Sequence, residues 1–257
     1  ELSKMLESDR EKYESFWKAF GMQLKFGLYE DYGMHKDVLQ DLIMFKSSYE
    51  VEAVKSEKTD EDKTEEETFT PAFTSLDEYV GRMKEDQKKI YYVAGENIDA
   101  MKMLPQVEAI VEKGYEVLFL TVDVDEFALK MLRTYKEKEF ANVMADDTDI
   151  STDAEKELLS DENESAKEMF DFMKESIGGE LKDIKFTSSL GKHPVSLSSE
   201  GELSVNMEKT LSKMPGNEAG GFKAQLVLEI NMNHAIAERL KTLYNSDKEK
   251  LGKYSKI

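Results

Sequence analysis

The residue types that most often carry chemistry in proteins are sparse or poorly arranged in this sequence. Its histidines, His35, His193 and His234, lie far apart, and none belongs to a His-Glu-x-x-His pair. Cysteine is absent, which excludes disulfides and thiol catalysis. There is no Gly-x-Ser-x-Gly elbow and no Walker A loop. The sequence therefore gives no support for a hydrolase, a P-loop nucleotide site or a histidine metal site.

One acidic run has the alternation of a calcium loop. Oxygen-bearing side chains recur at every second position over residues 147–153, as the ligands of an EF-hand do. An EF-hand loop beginning at Asp147 needs glycine at its sixth position and glutamate at its twelfth, where this chain has Thr152 and Leu158. We therefore reject a calcium site and interpret the run as a linker that opens a helix over residues 154–177.

The turn after the first predicted strand is another place for a ligand. Residues 90–93 are followed by Ala-Gly-Glu-Asn at 94–97, whereas a dinucleotide site requires several glycines so that the backbone can approach the pyrophosphate. With Gly95 alone, a Rossmann site is not expected. An α/β enzyme that uses the crevice near Gly95 and Asp123 stays an alternative, and it predicts a deep pocket with converging polar groups and shifted carboxylate pKa values.

Two β-type runs with a helical pattern between them organise the chain. Residues 90–93 and 117–122 predict parallel strands joined by a right-handed crossover, and the second run is apolar on both faces, as in a central strand. Pro105 should split the intervening pattern into two short helices. Before the first strand, Ser75 and Glu78 form a capping box, which predicts the start of a helix.

The N-terminal stretch is predicted to be helical. Apolar residues recur every three or four positions, which indicates an amphipathic helix up to the breakers Gly21 and Gly27. Trp17 is expected to be a buried anchor. A second, shorter helical stripe runs over residues 38–45. The stripe of the first helix consists of Met5, Leu6, Tyr13, Phe16, Trp17, Phe20 and Leu24.

The fold class predicted from these patterns is α/β together with α+β. Acidic residues without an apolar period predict a solvated loop between the helical segment and the first strand. After the acidic linker, further β-type runs at 184–187, 195–197 and 224–230 precede a helix capped within residues 231–234. The predicted organisation is a helical segment at 1–50, an acidic loop at 51–73, a small three-layer α/β/α subdomain with parallel strands at 74–150, and a mixed α+β domain at 151–257.

The net charge and the hydropathy of the sequence limit the classes of partner and the compartment that are expected. The formal net charge is -19, from 54 acidic and 35 basic residues, so nucleic acid and acidic membrane surfaces should be repelled. No apolar run approaches the ~20 residues that span a bilayer. We expect a soluble, cytoplasmic protein. An acidic scaffold that binds basic partners by charge is an alternative, and its affinity would fall with added salt.

Long, ordered motifs resemble one family. Residues 74–92 read Thr-Ser-Leu-x-x-Tyr-Val-x-Arg-Met-Lys-x-x-Gln-x-x-Ile-Tyr-Tyr, and Glu-Val-Leu-Phe-Leu at 116–120 precedes Asp125-Glu126. This pattern resembles the middle domain of the ninety-kilodalton heat-shock chaperones, in their bacterial form. The matches to the family's carboxy-terminal domain are His193-Pro194-Val195, Met207-Glu208-Lys209 and Leu228-Glu229-Ile230-Asn231-x-x-His234.

The resemblance implies an ATP-dependent molecular chaperone of the stress response that binds partly folded client proteins. It implies that ATP and magnesium bind in an amino-terminal domain, and that the arginine contributed by the middle domain precedes Glu1. We therefore expect a fragment that has no cofactor or metal of its own and is not an enzyme by itself. The family is homodimeric through helices that would follow Ile257, so the fragment should lack most of that interface.

The resemblance also implies a client-binding helix that starts at Asp125. Glu126, Phe127 and Lys130 match positions implicated in client contact, although the family often has tryptophan in place of Phe127 and a neutral polar residue in place of Lys130. Apolar residues over 124–132 cover more than one helical face. Some of this apolar surface should therefore remain exposed.

A second candidate helix is predicted over residues 201–214, between glycines. Leu203, Met207 and Leu211 recur on one face, and Leu203 and Leu211 match family positions implicated in client contact. The stripe either packs on its own domain or belongs to a mobile helix whose methionines adapt to varied partners. We expect Phe127, Leu203, Met207 and Leu211 to form one discontinuous apolar surface for partly folded chains.

Overall fold

The computed structural model describes residues 1–30, 32–49, 71–146, 148, 153–179, 181–214 and 221–256. Most of the predicted acidic loop, and positions 147, 149, 151 and 152 of the calcium-like run, lie outside the described residues. The chain forms two compact units. Unit 1 is Glu1–Tyr92 with Tyr115–Phe140, and unit 2 is Val93–Gly114 with Ala141–Ile257.

Helices and strands alternate along most of the described chain. The helices are α1 Leu2–Ser8, α2 Arg10–Glu30, α3 Lys36–Leu39, α4 Leu76–Arg82, α5 Ile98–Lys102, α6 Pro105–Glu112, α7 Asp125–Leu132, α8 Asp153–Ile177, α9 Val205–Ser212, α10 Ala235–Ser246 and α11 Lys248–Tyr254. The strands are β1 Met44–Ser47, β2 Phe73–Ser75, β3 Lys89–Ala94, β4 Val117–Leu120, β5 Thr134–Tyr135, β6 Lys138–Asn142, β7 Leu181–Thr187, β8 Val195–Glu200 and β9 Gln225–Asn231.

Helix α2 ends later than its sequence predicts, and Met5 and Leu6 of the predicted stripe belong to the separate helix α1. Helix α2 runs through Gly21 and Gly27 to Glu30, because Gly21 serves packing instead of ending the helix. A Cβ at Gly21 would lie 2.6 Å from the Trp17 ring, so only glycine lets the indole lie against the helix. Trp17 is buried, as predicted, but Phe20 of the predicted stripe is 54% exposed. The buried residues of α2 are Tyr13, Trp17, Gly21, Lys25 and Leu28.

The larger sheet has the strand order β2-β1-β4-β3-β6-β5. The two predicted strands, β3 and β4, are neighbours in it, although β4 ends at Leu120 instead of Val122. The prediction of a helical stripe over 38–45 is wrong beyond Leu39, where helix α3 ends, and Met44 and Phe45 belong to strand β1. This strand pairs antiparallel with β2 and β4 and is almost fully buried. Burial between two partners overrides the weak helical spacing.

Local capping signals in the sequence are confirmed at α4. The Glu78 amide donates to Ser75 Oγ at 3.2 Å, and the Ser75 amide donates to Glu78 Oε2 at 2.8 Å, which is the predicted capping box. At the other end of α4, the Arg82 guanidinium donates to both Oε atoms of Glu116 at 2.9 Å. Glu116 directly precedes β4, so this bidentate pair fixes α4 to the central strand.

Unit 2 contains the predicted mixed α+β architecture. In its three-stranded sheet β9 lies in the centre, parallel to β7 and antiparallel to β8. Helix α8 covers the sheet with Met169, Phe170 and Met173, and the rings of Phe170 and Phe186 meet edge to face at 4.8 Å. His234 caps α10 as predicted, since its ring nitrogen accepts from the Ile236 amide.

Helices α5 and α6 belong to unit 2, and α6 makes polar contacts with this sheet. The predicted break at Pro105 is confirmed, because Pro105 is the first residue of α6. From α6, Gln106 donates to Ser196 Oγ at 2.9 Å and to Glu229 Oε2 at 3.3 Å. His193 meets Glu108 at 2.8 Å. These contacts anchor α6 to the strands of unit 2.

Replacing Gly21 with alanine is expected to lower the free energy of unfolding by about 1–3 kcal/mol, because the added methyl group overpacks the Trp17 ring. Chemical denaturation measures the change. Gly81, also on a helix, has open space where its Cβ would lie, so Gly81→Ala is the control and should be neutral or stabilising. Equal stability of the Gly21→Ala variant and the parent chain would contradict this packing role.

Buried Glu229 should make stability depend on pH. Burial raises the pKa of Glu229 from its ordinary value of 4.5, and the Lys185 ammonium opposes the shift from 3.6 Å. The raised pKa means that the folded state favours protonated Glu229. This preference stabilises the folded state fully below pH 4.5, and the stabilisation is lost as the pH rises through the raised pKa.

Glu229→Gln removes that titration, so the melting temperature of this variant relative to the parent chain should rise as the pH increases above 4.5. The control is Glu238→Gln, because the Glu238 side chain is 80% exposed. The prediction fails if the difference in melting temperature between Glu229→Gln and the parent does not change with pH.

Candidate functional site

Helix α7 is held at its start by a buried ion pair with α2. Lys25 Nζ lies 2.6 Å from Asp125 Oδ1, and the two side chains are only 6% and 2% exposed. The same ammonium lies 4.3 Å from the Phe45 ring centroid and 5.2 Å from that of Trp17. Burial lowers the pKa of Lys25, and the Asp125 carboxylate opposes that shift. The aromatic faces and the carboxylate together replace the water that the ammonium has lost.

The predicted client-binding residues on α7 differ in exposure. Glu126 is only 1% exposed, so its carboxylate is part of the interior of unit 1. Phe127 and Lys130 are half-buried. The Phe127 ring meets the Tyr29 ring edge to face, with centroids 5.7 Å apart. The expectation that α7 leaves apolar surface exposed therefore holds for Phe127 and its neighbour Met131, which is also half-buried.

The remaining apolar residues of α7 serve the core. Val124, Ala128, Leu129 and Leu132 are all at most 5% exposed. The width of the apolar pattern, which suggested a broad exposed surface, instead reflects a helix that is packed on most of its circumference. The face of α7 that remains accessible consists of Phe127, Lys130 and Met131, since residues three and four positions apart are neighbours on a helix.

Helix α9 is shorter than predicted and divides the predicted stripe. It begins at Val205, with Ser204 Oγ accepting from the Met207 amide at 3.0 Å, and it ends at Ser212. Leu203 therefore lies just before the helix. Met207 is only 6% exposed, whereas Leu203 and Leu211 are half-buried. Met207 packs on its own unit, while Leu203 and Leu211 remain accessible.

A cavity of about 580 Å³ lies along one side of α9. Val205 of α9, 54% exposed, faces it, and the sequence pattern did not identify this residue because it stands outside the 203–207–211 stripe. A second cavity, of about 780 Å³, shares Val205, Lys209 and Leu226 with the first. The first is lined by Ala94, Gly95, Glu96, Asn97, Ala100, Met101, Leu104, Asn142, Met144, Leu197, Ser198, Ser199, Ser204, Val205, Asn206, Lys209 and Leu226.

Two polar contacts tether α9 across these cavities. Lys209 Nζ lies 2.5 Å from Glu96 Oε1, and this contact lowers the pKa of Glu96. On the other side, the Ala224 amide donates to Glu208 Oε2 at 2.8 Å. Because the Lys209–Glu96 pair is exposed, it contributes little to stability. Helix α9 is thus held mainly by Met207 and Thr210, the buried residues within it.

The cavity at Gly95 does not resemble an enzyme site. Its lining is largely apolar, and Asp123 is not part of it. Glu96, its carboxylate, has a lowered pKa, the opposite of what a general acid needs. Among the described residues, no group of three or more His, Cys, Asp or Glu side chains is placed to hold a metal ion.

Comparison with known proteins gives the family. The family model described as Hsp90 protein matches residues 1–256. The chain belongs to the Hsp90 family. This confirms the resemblance carried by the motifs at 74–92 and 116–120. None of the helices that the structure describes is both long and apolar enough to cross a membrane.

Curated members of the Hsp90 family match the chain along its whole length. It is 45% identical to the chaperone protein HtpG of Clostridium botulinum (strain Langeland), 47% to that of Clostridium perfringens (strain 13) and 43% to that of Bacillus subtilis (strain 168). Each match covers 100% of this chain and 37 to 38% of the relative. The chain thus spans a little over a third of the length of these chaperones.

Family membership leaves the individual contact residues as predictions. Phe127 and Lys130 lie on unit 1, and Leu203 and Leu211 lie on unit 2. Glu126 and Met207 are buried in their units, 1% and 6% exposed, and their part in client contact likewise stays a prediction. The joint surface expected from Phe127, Leu203, Met207 and Leu211 remains a prediction.

Breaking the buried pair at α7 should destabilise unit 1 strongly. Lys25→Met leaves the Asp125 carboxylate buried without its cation, which is expected to lower the free energy of unfolding by about 3–5 kcal/mol. Urea denaturation measures the loss. The double variant Lys25→Met with Asp125→Asn should recover at least half of the loss, because the orphaned charge is removed. If the loss in the double variant equals the sum of the losses of free energy measured for Lys25→Met alone and Asp125→Asn alone, the two side chains are not coupled in this way.

Proposed function

We propose that this chain is part of an ATP-dependent molecular chaperone that holds partly folded client proteins in the cytoplasm. The chain supplies client-binding and structural surfaces, while the binding and hydrolysis of ATP with magnesium take place elsewhere in the whole protein. Its homodimer interface is likewise assigned to another part of the whole protein. The relatives named chaperone protein HtpG support this proposal.

The observation that carries the proposal is the partial exposure of apolar side chains on two helices of a strongly acidic protein. Phe127 and Met131 on α7, and Leu203 and Leu211 at α9, are half-buried. A half-buried apolar side chain is already fixed by its neighbours, so it can offer contact area without a large cost in conformational entropy. Partly folded chains expose apolar segments that such side chains can cover.

The weak tethering of α9 also supports this role. The two adjoining cavities leave α9 open space along its outer part, where a shift of the helix meets little packing. Clients differ in shape, and a surface that adapts can bind many of them. Met207, on the buried face of the helix, is suited to such adjustment, because its side chain is unbranched and polarizable.

A second candidate is the acidic scaffold that binds basic partners by charge. The net charge of -19 favours it. Salt distinguishes the two functions, because Coulombic attraction between exposed charges is screened over about 8 Å at physiological ionic strength. Apolar contact does not weaken in this way. Client binding that persists at high salt therefore favours the chaperone function.

The test replaces Phe127 and Leu211 with glutamine. The double variant should need about tenfold more protein to suppress the aggregation of thermally unfolding citrate synthase, as expected for the loss of two central apolar contacts. Light scattering measures the suppression, at low and at high salt. Leu158, 53% exposed on α8, provides the matched control Leu158→Gln, which should behave as the parent chain.

Stability separates loss of binding from loss of folding. The melting temperature of the double variant should stay close to that of the parent, since both side chains are already partly in water. Suppression that is unchanged in the double variant, or that disappears at high salt in the parent chain, would contradict the proposed function.

A further inference from the structure

The outer face of α2 changes character along its length. Near its start this face carries polar residues, among them Glu11 and Lys18. Beyond them come Met22, Phe26 and Tyr29, which are 50%, 41% and 40% exposed. Spacings of four and three place these three side chains in one row on the helix. Met22 and Phe26 lie on the side of α2 that faces away from the buried stripe, so the packing of the helix does not account for their apolar character.

This row continues onto α7. The Tyr29 ring, at the end of the row, makes the edge-to-face contact with Phe127 at an interplanar angle of 66°. The apolar ridge of unit 1 is defined here as Met22, Phe26, Tyr29 and Phe127. It is one continuous strip over two helices, whose mutual position is fixed by the buried Lys25–Asp125 pair.

The turn after α2 extends the same surface. Gly33 has a φ of +78°, and a Cβ there would lie 3.6 Å from the Met131 carbonyl oxygen, so the turn passes close to the end of α7. Its flanking residues Tyr32 and Met34 are 89% and 78% exposed. Large apolar side chains that are exposed together in this way mark interaction sites.

We propose that the apolar ridge binds a short, extended, apolar and basic segment of a partly folded polypeptide. The proposal rests on the proposed chaperone function and extends it from Phe127 to α2. In it, Tyr29 and Phe127 form the central contact, and Phe26 and Met22 continue the strip along one side.

The size of the ridge favours a short segment over a folded partner. An aromatic side chain buries about 150–250 Å² when it is fully covered, so the half-exposed members of the ridge offer roughly 300 Å². A stable interface between folded proteins takes about 800 Å² from each partner. The ridge is therefore too small to be the whole contact of a second folded copy, but it matches a few side chains of an extended chain.

The negative net charge of the chain favours a basic segment as the ligand of the ridge. A second copy of the chain carries the same charge of -19 and therefore offers no charge complementarity to this surface. A segment that carries lysine or arginine between its apolar residues would instead be attracted, since complementary charge raises the rate of encounter. The exposed tyrosines offer hydroxyl groups and ring faces, which also suit cations.

The experiment measures binding of a synthetic peptide to the 257-residue chain by fluorescence anisotropy. The peptide alternates phenylalanine or leucine with lysine, and a second peptide carries glutamate in place of lysine. Met22→Gln with Phe26→Gln should weaken binding of the basic peptide at least about fivefold, as for the loss of two apolar contacts that flank the central one. The acidic peptide should bind more weakly than the basic one to the parent chain.

A matched control lies on the same helix. Phe20 is 54% exposed but stands outside the row, so Phe20→Gln should leave peptide binding unchanged. Because the chain has no cysteine, Gln23→Cys provides a single labelling site beside Met22. An environment-sensitive dye at this position should shift its emission when the basic peptide binds to the parent ridge.

The outcomes distinguish this inference from the chaperone function itself. If the Met22 and Phe26 changes leave peptide binding intact while Phe127→Gln and Leu211→Gln weaken it, the ridge is wrong and the chaperone function stands. If the parent chain binds neither peptide and suppresses no aggregation, both are wrong. Sedimentation that shows a dimer of the parent chain, lost in the Met22 and Phe26 variant, would overturn the inference in favour of self-association.

Discussion

The position of the accessible surface of unit 1 depends on one buried ion pair. Lys25 and Asp125 meet at 2.6 Å between α2 and α7, and the rings of Trp17 and Phe45 surround the ammonium. A buried charge pair is satisfied only in one geometry, so it fixes the position of α7 on α2 more narrowly than apolar packing would. Phe127, two residues after Asp125, is thereby held against Tyr29.

Both candidate surfaces combine a structural face with an accessible one. On α7, Glu126 and Leu129 are buried while Phe127 and Met131 are partly in water; at α9, Met207 is buried while Leu203 is not. The difference lies in how the two helices are held. Helix α7 is fixed by a buried charge pair, whereas α9 borders two adjoining cavities and carries the exposed Lys209–Glu96 pair. The accessible apolar side chains of unit 1 are therefore fixed by a buried contact, whereas those at α9 lie on a helix whose outer side borders open space.

Much of the fold could be predicted because its signals are local. The capping box at Ser75, the break at Pro105 and the helix ending at Ile177 depend on a few neighbouring residues and were identified from the sequence. The extent of α2 could not be predicted, because Gly21 reads as a breaker until the Trp17 ring is placed against it. The burial of Glu126 and Met207 could not be predicted either, because the spacing of apolar residues on a helix does not determine which face packs against the rest of the unit. The sequence motifs gave the family, and the structure was needed to separate supporting residues from accessible ones.

The central claim is that partly folded chains bind through apolar contact at the accessible faces of these helices. The 14 methionines allow a direct measurement by methyl NMR of the chain with a spin-labelled, permanently unfolded polypeptide. The account predicts that the signals of Met22 and Met131 broaden at low and high salt, while those of Met169 and Met173, both 3% exposed, do not. Broadening that is uniform across the methionines, or that vanishes at high salt, would contradict it.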